Sequence, residues 1–357
     1  MEKKRLLFIP VSSSEGIGEY MRSLSFAHYL NECFPDRLDI HFLLNKHTNY
    51  AFDCPFDTTL IEQSATKETR KVNQLIEAFK PNLVVFDCAG RAAQMKTAKR
   101  AGAKVVFISQ HNKKRAKGLK LNRLNLIDKH WVAQPDYCIE KISFSERLKL
   151  KLFPLSPPVN VGPFFSQSSS TDTYQLLAQF NLTNEGYFLV NAGSGGHGEK
   201  TQLFADIFYQ AAKKIAAETG LKGIVVFGSN YPNDLPKDDT LIILKSLHAS
   251  KFVGVLAHAN FAVLSAGDSL LQAISLKVPT VAAAISKDQP KRLQNCVESN
   301  LTLAADPTLD SLSDAVKRLL EPATYQATKN VLAKIKPHNA KKEMLQGVSE
   351  LLFGISK

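Results

Sequence analysis

A chain of 357 residues has room for two domains of ordinary size, and 44% hydrophobic with 22% charged residues is the balance of a globular protein, neither proline- nor glycine-heavy. No apolar run approaches the ~18 residues of a membrane span, and a net charge of +12 implies an anionic partner: nucleic acid, an anionic membrane face or a phosphorylated substrate. Five scattered cysteines without CxxC or metal-ligand spacing read as free thiols in a reducing cytoplasm.

In the first half, apolar runs alternate with helical stretches. Residues 5–11 form a strand candidate, and its apolar part is too short behind the basic start to be a secretory leader. A helix near 20–33 follows, then a strand over 38–44, a helix over 71–79 and a strand over 82–87 with Asp87 at its end, at the mouth of a cleft. Residues 92–101 predict a helix, 104–109 a strand and 129–133 a short strand. This alternation predicts right-handed βαβ crossovers and a parallel sheet covered on both faces.

Residues 113–129 carry seven Lys/Arg and one acid, Asp128, interleaved with Leu119, Leu121, Leu124, Leu126 and Ile127. Two readings stay open there: a solvated loop and helix face, or a cationic, apolar surface facing an anionic membrane. The segment has no aromatic residue and no recognition motif, so nucleic acid is not an expected partner.

Proline and serine concentrate over 154–158 and 163–170, which reads as a linker. The pattern then restarts, with strands over 187–191, 223–227, 241–244, 261–264 and 280–284, helices over 201–219, 252–257 and 269–276, and a helical tail from Ser311. The expected organisation is a Rossmann-like acceptor domain over 1–160, a linker over 161–173, and a Rossmann-like nucleotide-sugar domain over 174–340. A final helix over 341–357 is expected to pack back on the first domain. The fold class is α/β, two tandem doubly wound domains facing across a cleft between the carboxyl ends of their sheets, where ligands of such sheets bind.

In the second half, Asn191-Ala-Gly193-Ser194-Gly195-Gly196-His197-Gly198-Glu199-Lys200-Thr201 follows a strand and is expected to open a helix. Glycines let a backbone approach an anion closely, and helix N–H groups bind phosphate; a purely structural turn would rarely need four glycines in six positions. Gly193, Gly195 and Gly198 spell GxGxxG, but the next strand ends Phe227-Gly228-Ser229-Asn230 without the acid a dinucleotide ribose requires. Lys200-Thr201 resembles a Walker A ending, spoiled by Glu199 between Gly198 and the lysine. A second turn, Ser265-Ala-Gly267-Asp268-Ser269, precedes a helix bearing Gln272, with Ser269 the expected cap. Two helix N-termini on one site suit a diphosphate. Asp288-Gln289 follows as either a site cluster or an ordinary surface turn.

The order of these motifs, glycine-rich turn, Ser-x-Gly-x-Ser with a polar residue on the next helix, x-Pro strand, then Asp-Gln, resembles the GT-B superfamily of glycosyltransferases. It is most similar to the branch of the lipid II-forming UDP-GlcNAc transferase and the pseudaminic-acid pathway UDP-sugar hydrolase. In the first half, Gly16-Ile17-Gly18-Glu19-Tyr20-Met21-Arg22 resembles the family's GxGHxxR segment. The family histidine of that segment, a general base there, is Glu19 here, and the family glutamate on the donor ribose is Gln272.

The resemblance implies an inverting, metal-independent transferase moving a sugar from a UDP-sugar to a lipid-linked or saccharide acceptor of the cell envelope or a surface polysaccharide. It implies a cytoplasmic enzyme, peripheral on the inner membrane face, with no cofactor. Donor contacts would come from Gly193, Ser194, Gly195, Gly196, His197, Ser265, Gly267, Asp268, Ser269, Gln272, Asp288 and Gln289. Acceptor contacts would come from Gly16, Gly18 and Arg22, and the base would be Glu19 or His111; His197 or Lys200 would stabilise the leaving diphosphate. A UDP-sugar hydrolase and a non-catalytic nucleotide-sugar-binding subunit stay open as alternatives, with an NAD-dependent oxidoreductase further off.

Overall fold

Apolar runs bounded by amphipathic helices build two parallel sheets, one in each of two units. The computed structural model describes residues 2–11, 17–48, 50–153, 155–165, 169–199, 202–336 and 340–355. Unit 1 comprises Met1–Phe164 and His338–Lys357; unit 2 comprises Phe165–Pro337.

Unit 1 runs β1 (Lys4–Pro10), α1 (Gly18–Cys33), β2 (Leu38–Asn45), β3 (Asp57–Ile61), α2 (Thr69–Phe79), β4 (Leu83–Asp87), α3 (Ala92–Arg100), β5 (Lys104–Ser109), α4 (Asn112–Gly118), α5 (Leu121–Leu124), β6 (Lys129–Val132), α6 (Phe144–Leu152) and β7 (Val159–Asn160). Its sheet order is β3-β2-β1-β4-β5-β6-β7, with every pair parallel. Both faces are covered, so the strands read as continuous apolar runs. Leu6 and Phe8 of β1 enter the core on one face, and Leu7 and Ile9 the core on the other.

Unit 2 runs α7 (Ser170–Gln179), β8 (Tyr187–Asn191), β9 (Gly198–Glu199), β10 (Gln202–Leu203), α8 (Phe204–Thr219), β11 (Lys222–Val226), β12 (Leu241–Leu244), α9 (Ala249–Ala257), β13 (Phe261–Ser265), α10 (Asp268–Ser275), β14 (Thr280–Ala283), α11 (Gln289–Glu298), β15 (Leu303–Ala305), α12 (Leu309–Leu320) and α13 (Pro322–Ala333). Its main sheet is β12-β11-β8-β13-β14-β15, again parallel throughout. Phe188 and Val190 face one core, Tyr187 and Leu189 the other.

The last helix, α14 (Ala340–Phe353), belongs to unit 1: Ala340, Met344 and Val348 complete the core of β1, β4 and α1. Lys129 Nζ pairs with Glu350 Oε2 at 2.6 Å, and the Arg37 guanidinium lies 4.2 Å over the Phe353 ring.

The elements differ from the sequence expectation in several places, helices α6, α7 and α11, which it did not include, among them. Strands β3 and β15 are sheet edges, mostly exposed or half-buried, so neither shows the apolar pattern of the central strands. The stretch expected as linker contributes Val161 and Phe164 to the unit 1 core, where Phe164 packs edge-on to Phe26 at 5.2 Å. A hairpin, β9–β10, intervenes before α8, which begins at Phe204 rather than at 201. The leucines of the basic segment turn inward: Leu119 and Leu124 are buried with Leu150, and Leu126 and Ile127 pack on the α2–α3 side of the sheet. That segment therefore does not present its leucines as an apolar face, Leu121 excepted, which stays exposed. No helix among the described residues is long and apolar enough to cross a membrane.

Candidate functional site

In both sheets the first strand has later strands on either side, so the order reverses between β1 and β4 in unit 1 and between β8 and β13 in unit 2. Loops leaving neighbouring strands in opposite directions open a crevice at their carboxyl ends, where ligands of open α/β sheets bind.

In unit 2 the glycine-rich turn leaves β8 on one side of that crevice. Asn191 sets its shape: the side-chain oxygen accepts from Gly193 N at 3.0 Å, and Nδ2 donates to Gly193 O at 3.0 Å and to Val226 O at 2.8 Å. Gly193 and Gly195 have φ of +72° and +87°. A Cβ on Gly195 would stand 2.3 Å from Phe227 O, and one on Gly228 (φ +101°) 2.2 Å from the Ser194 carbonyl carbon. Asn230 N donates to Ser194 O at 2.8 Å. The loop after β11 thus presses against residues 193–195, and a Cβ on Gly198 would meet Gln202 O in the hairpin. Close backbone packing accounts for Gly195 and Gly198, so the abundance of glycine does not itself require an anion. The turn also does not open α8; Phe204 N donates back to His197 O across the hairpin. Ser194, Gly196 and His197 are half-buried, and Lys200 lies outside the described residues.

The second turn leaves β13 on the other side. A Cβ on Gly193 would lie 3.2 Å from Ser265 Oγ, and one on Gly267 would lie 3.6 Å from the same oxygen and 3.5 Å from Gln289 Nε2. Gly193, Ser265, Gly267 and Gln289 therefore come together. Gln289 is buried, and its Oε1 accepts from Ile285 N at 2.8 Å. The cap of α10 is Gly267, not Ser269, which sits inside the first turn, and Asp268 lies in that turn as well. Gln272 is half-buried one turn further on, and exposed Asp288 accepts from Ser286 Oγ at 2.8 Å.

Sequence reasoning overlooked Asn191 and Arg292. Arg292 is buried, donates from Nη1 to Ala266 O at 2.8 Å, and leaves Nε without a hydrogen-bond partner. Its only signal was the i,i+4 spacing from Asp288, to which Nη2 lies at 3.5 Å.

In unit 1, Gly18 and Glu19 begin α1, and Gly16 lies outside the described residues. Arg22 turns inward, with Nη2 2.7 Å and Nε 3.0 Å from the two oxygens of fully buried Asp87, which also accepts from Ser23 Oγ at 3.1 Å. Arg22 is thus paired inside the unit, and Asp87, the last residue of β4, is fully buried at the carboxyl end of that strand. The next residue, Cys88, takes φ +55°. Burial pushes its thiol well up, with the charges of Glu19 and Asp87 adding to the effect. Lys114 Nζ donates to Cys88 O at 2.9 Å from α4, whose N-cap is half-buried His111. Glu19 and Lys114 thus both lie near Cys88, at the carboxyl end of β4.

No protein-family model matches the chain, and no curated protein does. Solved structures do match. The kitacinnamycin glycotransferase aligns at TM-score 0.66 and 14% identity over 99% of this chain and 100% of its own. CalG4, the calicheamicin glycosyltransferase, aligns at 0.63 and 14% over the whole of both chains. A Listeria monocytogenes protein assigned as a UDP-N-acetylglucosamine 2-epimerase aligns at 0.58 and 15% over 100% of this chain and 98% of its own. At such identities the likeness is one of fold, and that fold is GT-B; it serves more than one reaction, so activity must be argued from the site.

Proposed function

We propose that this chain acts in the cytoplasm to move a sugar from a UDP-sugar to a cell-envelope or surface-polysaccharide acceptor, inverting the anomeric carbon without a metal ion. One observation carries the donor half: the turns after β8 and β13 lie side by side, so close that a Cβ on Gly193 would crowd Ser265 Oγ, at the strand pair where the unit 2 sheet order reverses. The first turn of α10, which starts at Gly267, would supply N–H groups for a diphosphate, with His197 or Lys200 as further donors.

In the proposed reaction the acceptor oxygen attacks the anomeric carbon as its bond to the diphosphate oxygen breaks. The bonding pair leaves on the diphosphate, and the acceptor proton passes to a general base, for which Glu19 and His111 are the candidates. The chain has no Asp-x-Asp pair, the usual means of holding Mg²⁺ on a diphosphate, and this supports metal independence. A second reading, a UDP-sugar hydrolase in which water replaces the acceptor, is favoured by the Gly-Ile-Gly-x-x-Met-Arg run over 16–22.

UDP titration calorimetry on the parent and on Gly196→Asp tests the donor assignment. A carboxylate beside the diphosphate should weaken UDP at least about tenfold, and unchanged affinity would remove UDP from this turn. Radiolabelled UDP-sugar then separates the readings. Label entering an acceptor only with membrane extract marks a transferase, free sugar without extract a hydrolase, and binding without turnover a non-catalytic subunit. Activity abolished by EDTA and restored by Mg²⁺ would refute metal independence.

A further inference from the structure

Helix α6 exposes large apolar side chains along one line. Phe144, Leu148 and Leu152 follow one another at i, i+4 and i+8 and are 75%, 47% and 69% exposed. Phe153, just past the helix end, and Leu121 of α5 are exposed as well. A helix turns about 100° per residue, so these three positions share one face. Leu150 falls on the opposite face and is buried with Leu119 and Leu124.

The helix is held, not loose. Ser143 and Glu146 form a capping box at its start, and the buried Arg115 guanidinium donates from Nη1 to Glu140 O at 2.6 Å and from Nη2 to Lys141 O at 3.3 Å. Unit 1 therefore fixes an apolar stripe in water, which a globular surface avoids unless something covers it.

Charge says what covers it. At the same 100° spacing, Arg147 and Lys151 flank the stripe on one side and Lys149 on the other, while Glu146 lies on the buried side in the cap. On α4 and the α4–α5 turn the cations crowd further. Burial lowers the Lys117 pKa, and the neighbouring charges of Lys114, Arg123, Arg91 and Lys120 lower it more. Such crowding is unfavourable alone and is relieved by an anionic surface. An apolar stripe with basic flanks is the pattern of a helix lying in a membrane interface, its long cations reaching up to the headgroups.

We propose that α6 is a membrane-docking helix that lays Phe144, Leu148 and Leu152 into the surface of an anionic bilayer. This stands on exposure and charge and is read without turnover, so it holds or fails apart from the proposed sugar chemistry. The full chain should co-sediment with vesicles of phosphatidylglycerol and phosphatidylcholine in equal parts. Binding should be at least about tenfold weaker to phosphatidylcholine alone and should fall with salt. The triple variant Phe144→Ser, Leu148→Ser, Leu152→Ser should lose binding at least tenfold, on the order of what withdrawing apolar side chains from lipid costs. Its thermal unfolding should match the parent, because those positions are already in water. Arg147→Ser with Lys149→Ser and Lys151→Ser should abolish the preference for anionic vesicles. The single tryptophan of the chain, Trp131, is buried, so Phe144→Trp should add emission that shifts to the blue on anionic vesicles. The proposal is overturned if the parent stays in solution, if the triple-serine variant sediments equally, or if neutral vesicles bind as well. It is also overturned if the parent is a dimer that the triple-serine variant dissolves, which would assign the stripe to a second copy.

Discussion

His130 shows how far a single buried ring departs from its solution chemistry. It is 9% exposed, with Nε2 3.0 Å from Ser109 Oγ, and Gly118 packs so closely that a Cβ there would lie 2.5 Å from its Cε1. Burial first, and Arg115 second, push its pKa from 6.5 down to about 3. Between those values the unfolded chain binds a proton that the fold does not, so stability falls as pH drops through that window. The slope is about 1.4 kcal/mol per pH unit. Urea unfolding at pH 7 and pH 5 should show the parent losing about 2 kcal/mol more than His130→Asn; equal losses would mean the folded ring is already charged. No sequence pattern marks His130, because its burial depends on partners remote in the chain. Arg22 makes the same point. The family resemblance implied an acceptor contact for it, and no pattern in the sequence pointed to its pairing with Asp87, 65 residues away. Removing either partner would strand a buried charge, a loss of about 3–5 kcal/mol.

Elements were legible in proportion to their burial. The strands hidden on both faces announce themselves as apolar runs, and β1, β4, β5, β8 and β13 stand where those runs predict them. Edge strands β3 and β15 and the β9–β10 hairpin did not show, because their form comes from pairing rather than from pattern. At the candidate site the first turn was legible as a glycine cluster and the second as a small-residue turn, but Gly195 serves partly to admit the loop after β11, whose approach only the fold reveals. Helix α14 holds a similar case. Glycine inside a helix costs about 1 kcal/mol against alanine, so Gly347 needs a reason. A Cβ there would lie 2.6 Å from Trp131 Cζ2, so the helix docks on the indole through this gap. Gly347→Val should overpack the contact and destabilise unit 1 by about 1–3 kcal/mol. Trp131 emission should shift to the red as the ring is displaced; unchanged emission and melting would mean α14 does not rest on the indole.

At the scale of the whole molecule, the chain leaves unit 1 after Phe164, builds all of unit 2, and returns to unit 1 for its last helix. The Lys129–Glu350 pair joins residues 221 positions apart, so unit 1 is built from both ends of the chain. Ala340, Met344 and Val348 fill that core, and Leu345, Leu351, Leu352 and Phe353 pack against it. Burying a large aliphatic side chain is worth roughly 1.5–3 kcal/mol, so losing Met344 and Val348 alone removes about 3–6 kcal/mol. That is comparable to the whole stability of an ordinary domain, about 5–15 kcal/mol. Unit 2 has its own two cores, and no residue of α14 belongs to either. A chain ended at Lys336 should therefore lose amide hydrogen-exchange protection across β1, β4, β5 and β6 while β8, β11 and β13 keep theirs. Vesicle binding through α6 should weaken with unit 1, whereas UDP affinity, assigned to unit 2, should persist. Protection lost together in both units would mean that they fold as one cooperative body. Protection lost in neither would mean that α14 covers a core able to close without it.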